Sequence, residues 1–221
     1  MNILTKALIL IESIVFPTCC QICGKQSSKL MCKNCKKQIM NNAIFNVEYL
    51  NEGNHYFKEH DYIFLYKEDI RKLILDYKFN DKSYLYKIFS EIIINNKKIY
   101  GNLKKYDIII PVPIHKKRKR QRGYNQSELI AKEIAKKTKI KYEPKCLVKK
   151  INTKPQSLLN KNDRRRNIKN AYKINNKEKL QDKKIILFDD IYTTGSTVNE
   201  CSRILIKNGA KEVLVLTLAK D

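Results

Sequence analysis

The sequence predicts an α/β protein built on a parallel sheet, preceded by a small four-cysteine metal-binding subdomain. Three observations predict it. Strand-like and helix-like apolar patterns alternate from residue 43 onward, as in sheets whose strands are joined by helical crossovers. The run Ile185-Ile-Leu-Phe188 is apolar without alternation, as expected of a strand buried on both faces. Two pairs, Cys20-x2-Cys23 and Cys32-x2-Cys35, carry the spacing of a tetrahedral metal site. A chain of 221 residues with 43% apolar content has room for one such domain plus a small appendage.

The elements follow in order. The apolar stretch 1–16 is interrupted by Glu12, is too short to span a bilayer, and is followed by no small-x-small cleavage site. It reads as an amphipathic helix rather than a leader or an anchor. In the knuckles that follow, Gly24 permits a tight turn, and Lys25, Lys33, Lys36 and Lys37 favour thiolates. Two disulfides are the alternative, but a reducing cytosol favours structural Zn2+. Four cysteine ligands fill the coordination shell, so the ion stabilises the fold by on the order of 10 kcal/mol and leaves no open position for chemistry. Cys19 is spare, and Cys146 and Cys201 read as buried packing residues.

The first boundary falls near residue 42, dividing a region 1–42 from a larger domain 43–221. In the latter, 43–50 and 61–67 are expected to form a hairpin, and 70–79 and 85–94 to be helices closed by Gly101. A strand over 106–112 ends in Pro111-Val-Pro113, and a helix is expected over 126–137. A short strand 145–149 and a polar, basic, mobile loop of about 152–170 come next. The strand 184–189, a helix from Ser196 to about Asn208 and a strand 213–218 complete the chain.

Chemistry concentrates after the buried strand, at Asp189-Asp190-Ile-Tyr-Thr193-Thr194-Gly195-Ser196-Thr197. Backbone N–H groups of a glycine turn and a helix start, joined by Thr and Ser hydroxyls, make a phosphate cradle. The two carboxylates would repel a phosphate and suit a sugar diol instead. This segment resembles the phosphoribosyl pyrophosphate (PRPP) motif of type I phosphoribosyltransferases, which implies that Asp189 and Asp190 hold ribose while Thr193 to Thr197 wrap the 5′-phosphate. Two other tracts stand near strand ends. The cationic stretch around Arg118 and Arg122, ending in Arg122-Gly-Tyr-Asn-Gln126, suits a pyrophosphate, read as a loop feeding a helix. Lys154-Pro-Gln156…Arg164-Arg-Arg-Asn167 lies in the long polar loop.

Taken together, the cysteine knuckle, Pro-Val-Pro with Arg-Gly-Tyr-Asn-Gln, Gln156-x2-Leu-x4-Arg164-x2-Asn167 and the Asp-Asp turn resemble the ComF family from Phe16 to the end of the chain. That resemblance implies a zinc finger joined to a type I phosphoribosyltransferase fold, with a role in DNA uptake during natural transformation. It assigns Arg118 and Arg122 to pyrophosphate, Gln156, Arg164 and Asn167 to a closing lid, and Mg2+ to the bound PRPP. Tyr124 stands where Phe is usual.

Two functions are compatible with these residues. One is a PRPP-Mg-binding component whose basic surface handles incoming single-stranded DNA beside other uptake proteins. The other is an active enzyme that moves ribose 5-phosphate to a nitrogen acceptor, with Arg118, Arg122, Asp189 and Asp190 as candidate catalytic residues. Hypoxanthine–guanine enzymes carry Asp at the position of Thr193, so 6-oxopurine salvage is not expected. The formal charge of +24 supports an anionic partner. Tyr124 and Tyr172, near the cationic tracts, are candidate stacking residues. The cytoplasm is the expected location, and its inner membrane face is the other anionic surface open to so basic a chain.

Overall fold

The computed structural model describes residues 18–50, 55–153 and 167–221. The helix expected over 1–16 therefore lies outside the described residues. The chain divides into two compact units, Met1–Ala43 and Ile44–Asp221.

In the smaller unit, a short antiparallel bridge between Cys19 and Gln26 brackets the first knuckle. Gly24 takes a positive φ of 73° and donates its N–H to the Cys20 carbonyl at 2.9 Å, closing the turn. Helix α1, Lys33–Asn41, starts directly after Cys32 and buries Cys35 and Ile39, four residues apart on one face.

The larger unit carries a six-stranded sheet in the order β1-β2-β8-β7-β3-β4. Its strands are β1 Ala43–Tyr49, β2 Glu59–Leu65, β3 Ile108–Pro111, β4 Lys141–Tyr142, β7 Lys184–Tyr192 and β8 Glu212–Lys220. The pairs β2–β8, β8–β7, β7–β3 and β3–β4 are all parallel, with Ile109 opposite Ile186 and Ile185 opposite Val213. Successive residues of these strands are buried on opposite faces. Ile108, Ile110, Ile185, Leu187, Val213 and Val215 share one core cluster with Val198, Cys201 and Leu205 of helix α7, Ser196–Lys207. Ile109, Ile186, Leu214 and Leu216 alternate with them and are also buried. Helix α6, Gln126–Thr138, packs against β3 and β7 and against helix α3, Leu85–Asn95.

Gly101 does not close a region but lies inside helix α4, Lys97–Leu103, which begins on the Asn96 cap. The cationic tract is helical rather than a loop. As helix α5, Lys116–Arg122, it is capped by His115, whose Nδ1 accepts the Lys117 N–H at 3.3 Å, and it stops at Gly123. The 145–149 strand is β5, Leu147–Lys149, and it pairs antiparallel with β6, Tyr172–Ile174, in a separate two-stranded sheet. The main sheet instead recruits the two-residue β4, too short to leave a pattern. Helix α2, Glu68–Phe79, matches its apolar spacing and brings the chain from β2 to α3. Among the described residues, no helix is long and apolar enough to cross a membrane.

Candidate functional site

The acid pair owes its access to a ligand to a mismatch in strand length. Strand β7 continues through both acids to Tyr192, rather than ending at Asp189 as the sequence suggests. Its pairing with β3 stops at Phe188 opposite Pro111, whereas pairing with β8 runs on to Tyr192 opposite Lys220. Beyond Phe188 one side of β7 is therefore without its neighbour, and a cleft of about 690 Å³ opens there. Asp189, Asp190, Thr193, Gly195, Ser196 and Thr197 line it, as do Arg118 and Arg122. The cleft lies beyond the C-terminal ends of β3 and β7, the usual place for a ligand in an open parallel sheet.

Gly195 makes the turn possible. Its φ is 70°, and a Cβ on it would run into the phenol of Tyr192. It is the residue before α7, so the N–H groups of the first helical turn are aimed into the cleft. Thr194 Oγ1 and Ser196 Oγ share a hydrogen bond of 2.9 Å.

The acids sit in unequal surroundings. Asp189 Oδ1 accepts from Ser127 Oγ at 3.1 Å and from the Asp190 N–H at 2.9 Å. Burial, then the neighbouring Asp190 charge, pushes Asp189 up to about 7, against the pull of Lys78 and these hydrogen bonds. Asp190 Oδ2 lies 3.0 Å from Lys78 Nζ.

The cations differ too. Arg118 is half-buried on the cleft wall. Arg122 donates to Gln126 Oε1 at 2.6 Å and its guanidinium stands 4.8 Å over the Phe79 ring. Lys149, at the end of β5, also lines the cleft, with Nζ 5.3 Å over Tyr172. Burial, followed by the charge of Arg118, draws its ammonium down to about 8.

Of the lid residues, Gln156 and Arg164 lie outside the described residues, and Asn167 is half-buried and does not line the cleft. The two tyrosines expected to stack on bases are occupied elsewhere. Tyr172 is buried, and Tyr124 donates its hydroxyl to the Tyr77 carbonyl. The exposed aromatic ring beside the cations is Phe79. Sequence reasoning missed Lys78, Ser127 and Lys149. Each is one polar residue on an ordinary pattern, and its place is set only by contacts distant in the chain.

In the smaller unit, the Sγ atoms of Cys20, Cys23, Cys32 and Cys35 all lie within 4.8 Å of one another, with Cys23 and Cys32 at 3.9 Å. Four sulfurs about 2.3 Å from one tetrahedral ion would stand about 3.8 Å apart, so the donor set fits zinc. Burial opposes charge on Cys20. The backbone N–H groups of Cys32, Cys23 and Ile22 outweigh it and bring the thiol down to about 6. Cys146 and Cys201 are buried in the larger unit, as their apolar neighbours suggest.

Parallel strands, an acid pair at a strand end and a hydroxyl–glycine turn feeding a helix define a phosphoribosyltransferase-type domain. In agreement, the profile of the phosphoribosyl transferase domain matches residues 124–221. Competence protein F of Haemophilus influenzae is 32% identical over 159 residues, covering 70% of this chain and 69% of its own length. The DNA utilization protein YhgH of Escherichia coli O157:H7 is 30% identical over the same coverage, and competence protein ComFC of Streptococcus pneumoniae is 30% identical across 73% of this chain and 68% of its own. The chain belongs to the ComF family.

Proposed function

We propose that the protein binds PRPP with Mg2+ in the cleft beyond β3 and β7 and takes part in handling single-stranded DNA during uptake, at the cytoplasmic side of the membrane. The observation that carries the reading is the convergence of acid pair, hydroxyl–glycine turn and two arginines on one cleft. The N–H groups and hydroxyls of Thr193 to Thr197 receive the 5′-phosphate. Asp189 and Asp190 accept hydrogen bonds from the ribose diol. Arg118 and Arg122 meet the diphosphate with forked donors. Mg2+ takes few protein ligands and keeps to phosphate oxygens and one or two carboxylates, which suits a site offering two acids and no cage. When bound, it supplies neutralisation of the diphosphate charge. Cys20, Cys23, Cys32 and Cys35 hold a structural Zn2+. The DNA role is supported by the names of the relatives, competence and DNA utilization proteins, and by the charge of +24.

Calorimetric titration of the zinc-loaded protein with PRPP and Mg2+ tests the site. We expect saturable binding in the wild type and its loss in the Asp189→Asn, Asp190→Asn double variant. A folded wild type that takes up no PRPP would sink the reading.

One observation favours turnover as a second reading. A carboxyl pushed up to about 7 in the cleft, that of Asp189, can accept a proton from a nitrogen nucleophile at neutral pH. Release of pyrophosphate that depends on an added nitrogenous acceptor is the expected sign, and its absence across a broad acceptor screen removes this reading.

A further inference from the structure

The contact between Lys78 and Asp190 is built rather than incidental. Lys78 is the penultimate residue of α2, and that end of the helix is fastened to the segment after α5. Tyr77 donates its hydroxyl to the Gln126 carbonyl at 2.8 Å, and Tyr124 donates to the Tyr77 carbonyl. The Gln126 amide approaches the Lys78 carbonyl at 3.5 Å, and Phe79 lies beneath the Arg122 guanidinium. The Arg-Gly-Tyr-Asn-Gln motif thus acts in large part as a clasp on α2. What the clasp delivers to the cleft is the Lys78 ammonium, 3.0 Å from Asp190 Oδ2, with only 16% of the lysine side chain and 14% of the aspartate side chain exposed.

Two consecutive carboxylates beside a polyanionic ligand need a counter-charge. Sites of this chemistry ordinarily obtain it from a divalent cation carried in by the ligand. Here one cation is tethered to the protein and faces the second acid, while the first acid is occupied by a neutral donor, Ser127. We propose that Lys78 is a resident cation of the acid pair, so that the cleft accepts a ribose 5-phosphate monoester without any divalent metal. The inference rests on the reading of the cleft as a ribose-phosphate site. The need for Mg2+ then comes from the diphosphate of a ligand and not from the acids.

The test compares ribose 5-phosphate binding by calorimetry in metal-depleted buffer and with added Mg2+, using resin-treated solutions because a soluble chelator would attack the cysteine site. The wild type is expected to bind almost equally in both. Lys78→Met should lose about tenfold or more in metal-depleted buffer, since it leaves an uncompensated, largely buried carboxylate, and should regain affinity when Mg2+ is added. Lys78→Arg should keep metal-independent binding. The rescue separates a counter-charge from a merely structural lysine, which Mg2+ would not replace. Wild-type binding of ribose 5-phosphate that demands Mg2+ overturns the inference and leaves the ribose-phosphate reading standing, and this arm needs no variant. Failure of the folded wild type to bind either ribose 5-phosphate or PRPP-Mg removes the reading itself, and the inference with it.

Discussion

Gly195 is the residue on which the phosphate turn depends most narrowly. A left-handed φ and a phenol in the path of any Cβ act together, so Gly195→Ala is strained twice. We expect a loss of about 1–3 kcal/mol in chemical denaturation together with weakened PRPP binding. A variant of wild-type stability and affinity would show that the turn relaxes freely. Such residues were legible in the sequence, because Asp189, Asp190 and the Thr-Thr-Gly-Ser-Thr turn announce their chemistry by type and order. Lys78 and Ser127 announce nothing. Ser127 reaches Asp189 across 62 residues of chain, and only the packed sheet and helices bring the two together.

At the scale of elements, the same limit shows in the cationic tract. Its density of charge suggested a loop, yet the His115 cap and the stop at Gly123 make a seven-residue helix. That helix presents Lys116, Lys117 and Arg120 to solvent. If it lies along single-stranded DNA, Lys116→Gln, Lys117→Gln and Arg120→Gln combined should flatten the plot of log affinity against log salt by about 2, near 0.7 for each phosphate contact removed. An unchanged slope in a fluorescence titration places the DNA elsewhere. The buried strands were readable because full burial leaves an unbroken apolar run. β4 was not, since two residues carry no period, and β5 was readable as a strand but not as part of a separate sheet, because its pattern says nothing of its partner.

For the molecule as a whole, the two units were anticipated by different signals, cysteine spacing for one and alternating elements for the other. Among its described residues the smaller unit buries few side chains, so its order should depend on metal. Freshly purified protein should contain about one zinc per chain, and Cys32→Ser should carry far less, as read by elemental analysis. A metal-free wild type with an ordered knuckle would refute this.

Strand β2 has a consequence for the entire larger unit. His60 and Asp61 are adjacent and fully buried, and their side chains point to opposite faces of the sheet. His60 bonds Thr217 at 2.8 Å and stacks on Tyr192, while Asp61 accepts from Asn102 at 3.0 Å. Burial draws His60 from 6.5 down to about 3, so its contribution is whole above 6.5 and lost as pH falls toward 3. Burial lifts Asp61 from 3.8 to about 6, so its contribution is whole below 3.8 and lost as pH rises through 6. Between roughly 4 and 6 the two slopes have opposite sign and similar size, about 1.4 kcal/mol per pH unit each. Asp61→Asn should therefore gain up to about 3 kcal/mol over the wild type at pH 7 and little at pH 4, read as the difference in unfolding free energy between the two proteins. An Asp61→Asn gain that does not shrink between pH 7 and pH 4 would contradict the pairing. Within β2 the two neighbours thus form a self-compensating acid–base couple, and their joint contribution to the sheet that carries the ligand cleft stays level over an acidic range in which either residue alone would tilt it.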